Sequence, residues 1–329
     1  MKPLRILITG SSGYLGRAIV QTLLRQTEVE LIVGVDLRSS PALLKLRDPR
    51  LLLVTADIAD PLDDLLREHS IDTVIHAAFI LRPSHDLLRM RRTNIEGTRS
   101  LLRACAACSV GHLLYLSSAS VYGFVPQQTA LLTEADSLNP HPGFPYAEHK
   151  AEADRLVHDA RSLGSIPAVA VLRPSFIIGG DNDNPLYEHL ARRLVFLPRP
   201  MSSLQLTHID DLCSAVILLL NHRANGTYNL GAPGALTPLQ MVERLHGRVI
   251  LLPQALLHAC NQVAWNLRAR WITNAPSNAL SSLEGYWLIS SDKIRAELGF
   301  QFTRDSHQAF DSLVQQHARL RYERRFAGQ

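Results

Sequence analysis

The stretch Arg5-Ile-Leu-Ile-Thr-Gly-Ser-Ser-Gly-Tyr-Leu-Gly16 runs from a short apolar segment directly into three glycines. The segment Ile6–Thr9 predicts a buried parallel strand, since such strands are continuous apolar runs. Gly10 permits a tight turn after the strand, Gly13 lets the backbone approach a pyrophosphate, and Gly16 lets the next helix pack on the sheet. Because a helix N-terminus also offers free N–H groups to phosphates, the pattern predicts a dinucleotide-binding turn.

A carboxylate at the end of the second strand indicates which dinucleotide binds. The apolar run Leu31–Val35 ends in Asp36, 20 residues after Gly16. A carboxylate at this distance hydrogen-bonds the ribose hydroxyls of NAD. It repels the 2′-phosphate of NADP, so the sequence favours NAD and makes NADP the weaker candidate. Arg38, two residues further on, softens that preference.

Composition restricts the possible partners and location. The chain has 329 residues, 46% hydrophobic and 19% charged, with a net charge of +4, as is usual for a soluble globular protein. The basic residues are dispersed except for Arg319, Arg321, Arg324 and Arg325, which we interpret as a solvated tail, so no nucleic-acid partner is expected. No apolar run reaches the roughly 18 residues that span a bilayer, and strand signals begin at the N-terminus without a signal peptide. We therefore expect a cytoplasmic protein with no membrane partner.

The cysteines predict neither a disulfide framework nor a metal site. The four cysteines include a C-x-x-C pair, Cys105 and Cys108, within an Ala- and Leu-rich helical stretch. No second cysteine pair completes a zinc site, so these two side chains are expected to serve packing. We predict no metal ligands.

Strand and helix patterns alternate through the first half of the chain. This alternation predicts an α/β fold with a Rossmann-type doubly wound parallel sheet, forming an NAD-binding domain over residues 1–178. Asp57, Ala77, Ala78 and Ser117 fall at or just after strand ends, where cofactor contacts are expected. The predicted strands are Leu4–Thr9, Leu31–Asp36, Leu51–Thr55, Thr73–His76, His112–Ser117 and Ala168–Arg173; the predicted helices are Leu15–Arg25, Leu62–His69, His85–Cys108 and Tyr146–Ser162.

The pattern changes after residue 178. Shorter elements follow, and they predict a smaller mixed α/β C-terminal substrate lobe over residues 179–329, with some elements interleaved with the first domain. The predicted elements are helix Asp210–Asn221, strand Thr227–Leu230 and helices Pro238–Leu245 and Pro253–Arg270.

Two polar segments suggest proton transfer. Tyr146 and Lys150 are four residues apart and therefore share one face of a helix. The ammonium group is expected to lower the pKa of the phenol toward the working range, because it stabilises the phenolate. The apolar strand that begins at His112 delivers Ser117 and Ser118 at its end, and a hydroxyl there would orient a substrate oxygen toward Tyr146. Such a group serves hydride transfer at a carbon–oxygen bond, for which a nicotinamide supplies the hydride.

Together these segments resemble the extended, NAD-dependent epimerase/dehydratase branch of the short-chain dehydrogenase/reductase superfamily, over residues 4 to about 232. The motifs occur in the family's order: Thr9-Gly10-Ser-Ser-Gly13-Tyr14-Leu15-Gly16, Asp57-Ile58, His76-Ala77-Ala78, Asn94-Ile-Glu-Gly97, Ser117-Ser118-Ala-Ser-Val-Tyr122-Gly123, Tyr146 with Lys150, Leu172-Arg173-Pro174, and His208-Ile-Asp210-Asp211.

The resemblance implies a role for each matching residue. Ser118 would position the substrate, Tyr146 would be the acid/base, and Lys150 would tune its pKa and contact a ribose of the cofactor. Asn94 would be structural or part of a proton path. The cofactor-binding residues would be Gly10, Gly13, Tyr14, Leu15, Gly16, Asp36, Arg38, Asp57, Ile58, Ala77, Ala78, Asn94, Ser117, Tyr146, Lys150, Arg173 and Pro174. The family also implies a homodimer that pairs through helices at about 85–108 and 146–162.

Two departures from the family pattern concern the substrate. Phe176 stands where nucleotide-sugar members carry an asparagine, and Ser203–Thr207 contains no basic residue before His208. Both differences weaken the case for a nucleotide-sugar substrate. The Arg173-Pro-Ser175 form resembles 3β-hydroxysteroid dehydrogenase-like and dihydroflavonol-reductase-like members, which implies hydride transfer at an apolar secondary alcohol or ketone. The Trp-bearing stretch Val249–Trp271 would suit a pocket for such a substrate, although an ordinary amphipathic helix packed on the lobe is the preferred interpretation of that stretch. Two alternatives remain open: a nucleotide-sugar epimerase or dehydratase that recycles its NAD internally, and a non-catalytic NAD(P)-sensing protein.

Overall fold

The computed structural model describes residues 3–125, 128–180, 185–269 and 272–326; Trp271 and Arg270 lie outside them. The strands are β1 Leu4–Thr9, β2 Val29–Asp36, β3 Leu51–Thr55, β4 Thr73–His76, β5 His112–Leu116, β6 Ala168–Pro174, β7 Phe176–Ile178, β8 Leu194–Arg199, β9 Leu206–His208, β10 Gly226–Leu230 and β11 Arg248–Pro253. The helices are α1 Tyr14–Leu23, α2 Pro41–Leu44, α3 Asp63–Glu68, α4 Leu87–Arg91, α5 Gly97–Ala107, α6 Pro145–Ser162, α7 Pro185–Leu190, α8 Ile209–Asn221, α9 Pro238–Arg244, α10 Gln254–Asn266, α11 Ser277–Leu280, α12 Asp292–Leu298 and α13 Ser306–Phe326.

A seven-stranded parallel sheet forms the centre, with strand order β10-β6-β5-β4-β1-β2-β3. The chain leaves β1 toward β2 on one side and later returns to β4 on the other, so the order reverses between β1 and β4. This reversal places a crevice beyond the carboxyl ends of those two strands, where open α/β sheets bind ligands. The Rossmann-type fold predicted from the sequence is confirmed.

Helices cover both faces of the sheet, and the central strands are therefore buried on both sides. One apolar cluster joins Ile6 and Ile8 of β1 to Ile19 of α1 and Val216 of α8. The other joins the alternate β1 residue, Leu7, to α5 and α6. Strand β10 pairs with β6, and α8 and α12 pack in the same apolar layer, so three elements after residue 178 belong to the central layer.

The helix predicted over His85–Cys108 is interrupted. It begins at α4, where the Asp86 side chain accepts a hydrogen bond from the Arg89 backbone N–H, 2.9 Å away. A π-helical turn, Arg92–Glu96, then separates α4 from α5. Asn94 in this turn is fully buried, and its side chain bonds the backbone of Ile80. A π-helical turn is a feature that helices often carry at functional sites.

The remaining elements of the second half form a lobe with its own apolar core. A two-stranded parallel sheet of β8 and β11 contacts α9 and α10, and a second short pair joins β7 to β9. Val195 and Leu197 of β8 are buried with Met241 and Val242 of α9. The backbone of the arginine-rich C-terminal segment forms the end of α13; the side chains of its arginines lie outside the described residues. Among the described helices, we find none with the length and apolar character that a membrane span requires.

Candidate active site

A cavity of about 500 Å³ lies between the carboxyl ends of the central strands and the lobe. Its floor is the glycine turn, and its far end is lined by the segment after α10 and by Trp287. Of the residues proposed from sequence, the structure brings together Gly10, Gly13, Tyr14, Leu15, Gly16, Ala77, Ser117, Ser118, Tyr146, Lys150 and Pro174 around this cavity. The cavity wall therefore joins the predicted dinucleotide turn to the predicted proton-transfer group.

The glycine turn has the geometry that a dinucleotide requires. Gly10 has φ +70°, and a Cβ atom on it would lie 2.6 Å from the Cα atom of Ala78. Only glycine therefore fits between the ends of β1 and β4. No described side chain caps the N-terminus of α1 at Gly13, so its backbone N–H groups remain available to a pyrophosphate. These residues fit the phosphate groups of NAD.

Asp36 lies beside this turn rather than in the cavity wall. Its carboxylate accepts a hydrogen bond from the Ser12 backbone N–H at 3.1 Å, which fixes it next to the glycine loop. Arg38, two residues on, is exposed. The carboxylate is thus close enough to the loop to meet a ribose bound there.

Four other proposed residues do not line the cavity. Asp57 is paired with Arg92 at 2.9 Å, and Ile58 and Ala78 are packed in the apolar layer under the sheet edge. Asn94 accepts a hydrogen bond from the Ile80 N–H at 2.7 Å. Ile80 itself lines the cavity, so Asn94 acts on the site through the backbone that it holds.

Tyr146 stands at the first turn of α6, where Pro145 starts the helix. Tyr146 is half-buried; desolvation raises the pKa of its phenol to about 12, while a hydrogen bond with Ser118 acts in the opposite direction. The Ser118 hydroxyl oxygen is also held by the Ser120 N–H at 3.2 Å. A phenol with this pKa is protonated at neutral pH and is therefore a proton donor.

Lys150 lies one turn further along α6 and is buried. Its Nζ donates to the Leu116 carbonyl at 2.6 Å and lies 3.7 Å from the centre of the Phe79 ring. Burial lowers its pKa to about 7, with the Asp154 carboxylate acting in the opposite direction. A lysine poised at this pKa gains or loses its charge near neutrality.

The expected effect of Lys150 on Tyr146 is absent from this structure. The sequence predicts a lowered phenol pKa, whereas burial raises it. The ammonium group is directed at the Leu116 carbonyl at the end of β5, and desolvation dominates over its charge.

Arg173 is turned away from the cavity, which revises its assignment to the cofactor. Its guanidinium forms a bidentate pair with Asp154, with distances of 2.9 and 2.7 Å, and donates to the Tyr122 hydroxyl at 2.8 Å. Asp154 also accepts a hydrogen bond from Ser117 at 2.6 Å. The two charges are buried beneath the strand ends, so the pair holds β5, β6 and α6 in register under the site.

Aromatic side chains line the part of the cavity away from the glycine turn. Phe176 and Trp287 meet edge to face with ring centres 4.7 Å apart, and Phe124 contacts the same indole at 5.5 Å. Phe144 packs beside Tyr146, 5.9 Å between ring centres. Phe176, which replaces the family's asparagine, is thus part of an apolar wall. Within the described ranges we find no group of three or more His, Cys, Asp or Glu side chains placed to hold a metal ion.

The sequence analysis missed Phe79, Asp154 and Trp287. Asp154 had a usable signal, because it lies one helical turn after Lys150 and two turns after Tyr146 on the same face. Phe79 directly follows the Ala77-Ala78 turn, but nothing in that position predicts a ring over an ammonium. Trp287 reaches the cavity only through the packing of the lobe.

A Rossmann-type sheet with a glycine-rich turn, a Ser–Tyr–Lys group at the strand ends and a separate substrate lobe defines the extended class of short-chain dehydrogenases/reductases. Residues 6–231 match the model of the NAD dependent epimerase/dehydratase family. The chain belongs to this family, and the resemblance inferred from its motifs is confirmed.

Three comparisons show how far the similarity extends. An uncharacterised protein of Mycobacterium tuberculosis is 28% identical, covering 94% of this chain and 83% of that protein. The 4-hydroxy-2-methyl-3-oxo-4-farnesyl-3,4-dihydroquinoline-1-oxide ketoreductase of Stigmatella aurantiaca is 25% identical, covering 95% and 96%. The solved structure of dTDP-glucose 4,6-dehydratase from Bacillus anthracis, in complex with NAD, is 18% identical, covers 96% of this chain and 97% of that one, and has a TM-score of 0.76. The last comparison supports the shared fold.

Proposed function

We propose that this protein is an NAD-dependent oxidoreductase that transfers a hydride at a secondary alcohol or ketone, with Tyr146 as the acid/base. The observation that carries the proposal is the meeting of two sites in one cavity. The glycine turn lies at one end and the aromatic wall at the other, with Ser118, Tyr146 and Lys150 between them. A substrate and a nicotinamide can therefore meet beside the proton donor.

The residues of this chain divide the work of carbonyl reduction. The protonated Tyr146 phenol gives its proton to the carbonyl oxygen, and the Ser118 hydroxyl orients that oxygen by a hydrogen bond. Lys150, one helical turn from Tyr146, would contact a ribose of the bound cofactor. When bound, NAD supplies or accepts the hydride. In alcohol oxidation the same proton returns to Tyr146.

NAD would be held by the glycine turn and the N-terminus of α1, with Asp36 at a ribose. The closeness of the Asp36 carboxylate to the loop supports NAD over NADP, because a 2′-phosphate would meet its charge.

An apolar substrate is supported by the cavity wall. Phe124, Phe176 and Trp287 form a face suited to rings or hydrocarbon. The related Stigmatella ketoreductase is named for a farnesyl-bearing dihydroquinoline oxide, a substrate of this character.

The test follows hydride transfer from deuterium-labelled NADH to a panel of apolar ketones and aldehydes. We expect label in the alcohol product with wild-type protein, and a turnover loss of roughly 100-fold or more in Tyr146→Phe with NADH still bound. Tyr286→Phe, which changes a tyrosine that does not line the cavity, is the matched control. Full turnover in Tyr146→Phe would refute the mechanism, and NADH binding with no transfer to any carbonyl would favour an NAD(P)-sensing protein.

A second candidate is a nucleotide-sugar epimerase or dehydratase that recycles its NAD internally. The family match and the likeness to the Bacillus anthracis dTDP-glucose 4,6-dehydratase favour it. Release and identification of the nucleotide carried by the purified protein separates the two. Stoichiometric, tightly retained NAD supports the second candidate, whereas reversible NADH binding to emptied protein supports the first.

The remaining properties are proposed on narrower grounds. We propose residues 1–178 as the NAD-binding domain and 179–329 as the substrate lobe, with β10, α8 and α12 interleaved. All four cysteines are free thiols, which suits a cytoplasmic location. We also propose a homodimer that pairs through the helices at about 85–108 and 146–162, which predicts twice the chain mass in light scattering.

A further inference from the structure

Helix α10 of the lobe carries an apolar stripe that faces outward. Leu256, Cys260, Val263 and Leu267 recur at intervals of four, three and four residues, so they share one helix face. Leu256 is 49% exposed, Val263 59% and Leu267 75%, and Cys260 is an exposed free thiol. Leu257 and Ala264, which lie about a quarter of a turn round the helix from this stripe, are buried against the protein. The apolar stripe itself therefore remains exposed beside the packed side of the helix.

The neighbouring two-stranded sheet has a similar exposed surface. Phe196 of β8 pairs with Ile250 of β11, so their side chains lie next to each other on one sheet face, and both are exposed. Leu194, two residues before Phe196, lies on the same face and is also exposed. Helix α10 contacts both strands and starts directly after β11. Exposed apolar surface on adjacent elements marks an interaction site.

The charges around this surface are of one sign. Arginines 193, 199, 248 and 268 are exposed on or beside these elements. The sequence from Arg244 to Leu283 contains no aspartate or glutamate, and neither does the sequence from His189 to Ile209. Four carboxylates flank these stretches. Glu188 is paired with Arg82, Asp210 with Arg304 and Glu284 with His258, and Glu243 is exposed near the end of α9.

We propose that this surface, the α10 face, binds the surface of a bilayer that contains anionic lipids. The α10 face comprises Leu194, Phe196, Ile250, Leu256, Cys260, Val263 and Leu267, with Arg193, Arg199, Arg248 and Arg268. A helix with an apolar side and cationic flanks lies in the plane of the bilayer interface, with its apolar residues among the acyl chains and its arginines at the headgroups. The protein would be attached to the bilayer without crossing it, which revises the sequence-based expectation of no membrane partner.

A second copy of this chain fits the α10 face less well. A two-fold dimer places the same surface against itself, so the arginines of one copy would face a surface of the other copy that also carries arginines. The stretch that carries them contains no carboxylate to neutralise them. Anionic headgroups supply that missing charge, and acyl chains supply the missing apolar contact.

The α10 face adjoins the cavity. Asn261 of α10 lines the cavity, as do Thr273, Asn274 and Ala275 after the helix. A bilayer bound to α10 would therefore lie against one wall of the site, which is where an apolar substrate would leave the lipid. The binding proposal itself does not depend on the proposed function, since it concerns a surface outside the cavity.

Co-sedimentation with vesicles tests the proposal. Wild-type protein is mixed at low salt with phosphatidylglycerol/phosphatidylcholine vesicles and with pure phosphatidylcholine vesicles. We expect binding to the anionic vesicles, roughly fivefold weaker for each arginine neutralised in Arg248→Gln and Arg268→Gln, and loss of binding in Val263→Asp/Leu267→Asp. The control is Leu163→Asp, at a 79% exposed leucine that ends α6, which should bind like wild type. Retained NADH binding and an unchanged circular dichroism spectrum show that the variants are folded.

A label on Cys260 gives a second, direct readout. An environment-sensitive fluorophore on this exposed thiol should shift to the blue with anionic vesicles, because its surroundings become apolar. Absence of vesicle binding by the wild-type chain would overturn the proposal. It would also be overturned if Val263→Asp/Leu267→Asp bound as well as wild type, or if that variant only converted a dimer to a monomer. Each outcome can be recorded whether or not the protein turns over a ketone, so failure of one proposal is distinguishable from failure of the other.

Discussion

The Nζ atom of Lys150 lies 3.7 Å from the centre of the Phe79 ring, while it donates a hydrogen bond to the Leu116 carbonyl at 2.6 Å. The ring and the carbonyl are thus two of the groups that stabilise a buried ammonium. They do not offset the loss of water, and the pKa falls to about 7. Both groups belong to the segments that follow β4 and end β5, so the sheet itself places them over α6.

The lowered pKa of Lys150 predicts a pH-dependent stability. Below about pH 7 the Lys150 amine is protonated in both the folded and the unfolded chain. Between about pH 7 and pH 10 it is protonated only in the unfolded chain, where its pKa has the ordinary value near 10.4. The unfolding free energy should therefore rise with pH, by up to about 1.4 kcal/mol per unit. Lys150→Met should remove this slope in urea titrations, and parallel curves for the two proteins would contradict the prediction.

Replacing Phe79 should move the pH at which that slope begins. In Phe79→Leu the charged form of Lys150 loses a desolvated cation–π contact of about 2 kcal/mol. The pKa of Lys150 should therefore fall by about 1.5 further units, so the rise in the unfolding free energy should start at lower pH. Phe79→Tyr keeps a ring face and should behave as wild type. The same urea titrations measure the shift; identical profiles for leucine and phenylalanine would show that the ring does not act on the ammonium.

Breaking the Arg173–Asp154 pair should lower the unfolding free energy of the protein without changing its affinity for NADH. Arg173→Met leaves a buried carboxylate uncompensated, at a cost of about 3–5 kcal/mol. The double variant Arg173→Met/Asp154→Leu should recover much of this loss in urea unfolding. The NADH dissociation constant of folded Arg173→Met should stay within about twofold of wild type, because the guanidinium faces away from the cavity. A roughly tenfold loss of NADH affinity, the size expected for a lost charged hydrogen bond, would show that Arg173 does contact the cofactor.

Removing the carboxylate of Asp36 should alter cofactor choice. Asp36→Ala loses a charged acceptor for the ribose hydroxyls, so NADH affinity should fall by roughly tenfold or more. NADPH affinity should rise, since the repulsion of its phosphate is gone. Asp64→Ala, at an exposed carboxylate on α3, is the matched control. Fluorescence titrations with both nucleotides measure the change, and an unaltered NADH-to-NADPH ratio would show that another group selects the cofactor.

The bounds of several strands could be predicted because they depend on residues that are adjacent in the sequence. Strands β1, β3 and β4 have the predicted bounds residue for residue, since a buried parallel strand is a continuous apolar run that ends where polar residues or glycine begin. Helix α6 begins one residue before the predicted start, at Pro145. The shared face of Tyr146 and Lys150 follows from helical periodicity alone.

The interruption of the helix predicted over residues 85–108 could not be predicted from the sequence. Its side-chain pattern is helical throughout, but Asn94 bonds the Ile80 backbone from a π-helical turn. Ile80 lies outside the helix, so the spacing of apolar residues along the helix gives no information about this contact. The direction of the Arg173 side chain is set in the same way by Asp154, a residue on another element.

The sequence by itself determined the strands of the sheet, the glycine turn, the family and the residues proposed for proton transfer, because each depends on residues adjacent in the chain or one helical turn apart. The tertiary structure decided the protonation of that group, the partner of Arg173, the aromatic wall and the outward stripe of α10. These depend on burial and on contacts between distant segments: the pKa of Tyr146 follows from its desolvation, and Trp287 meets Phe176 only when the lobe folds against the strand ends.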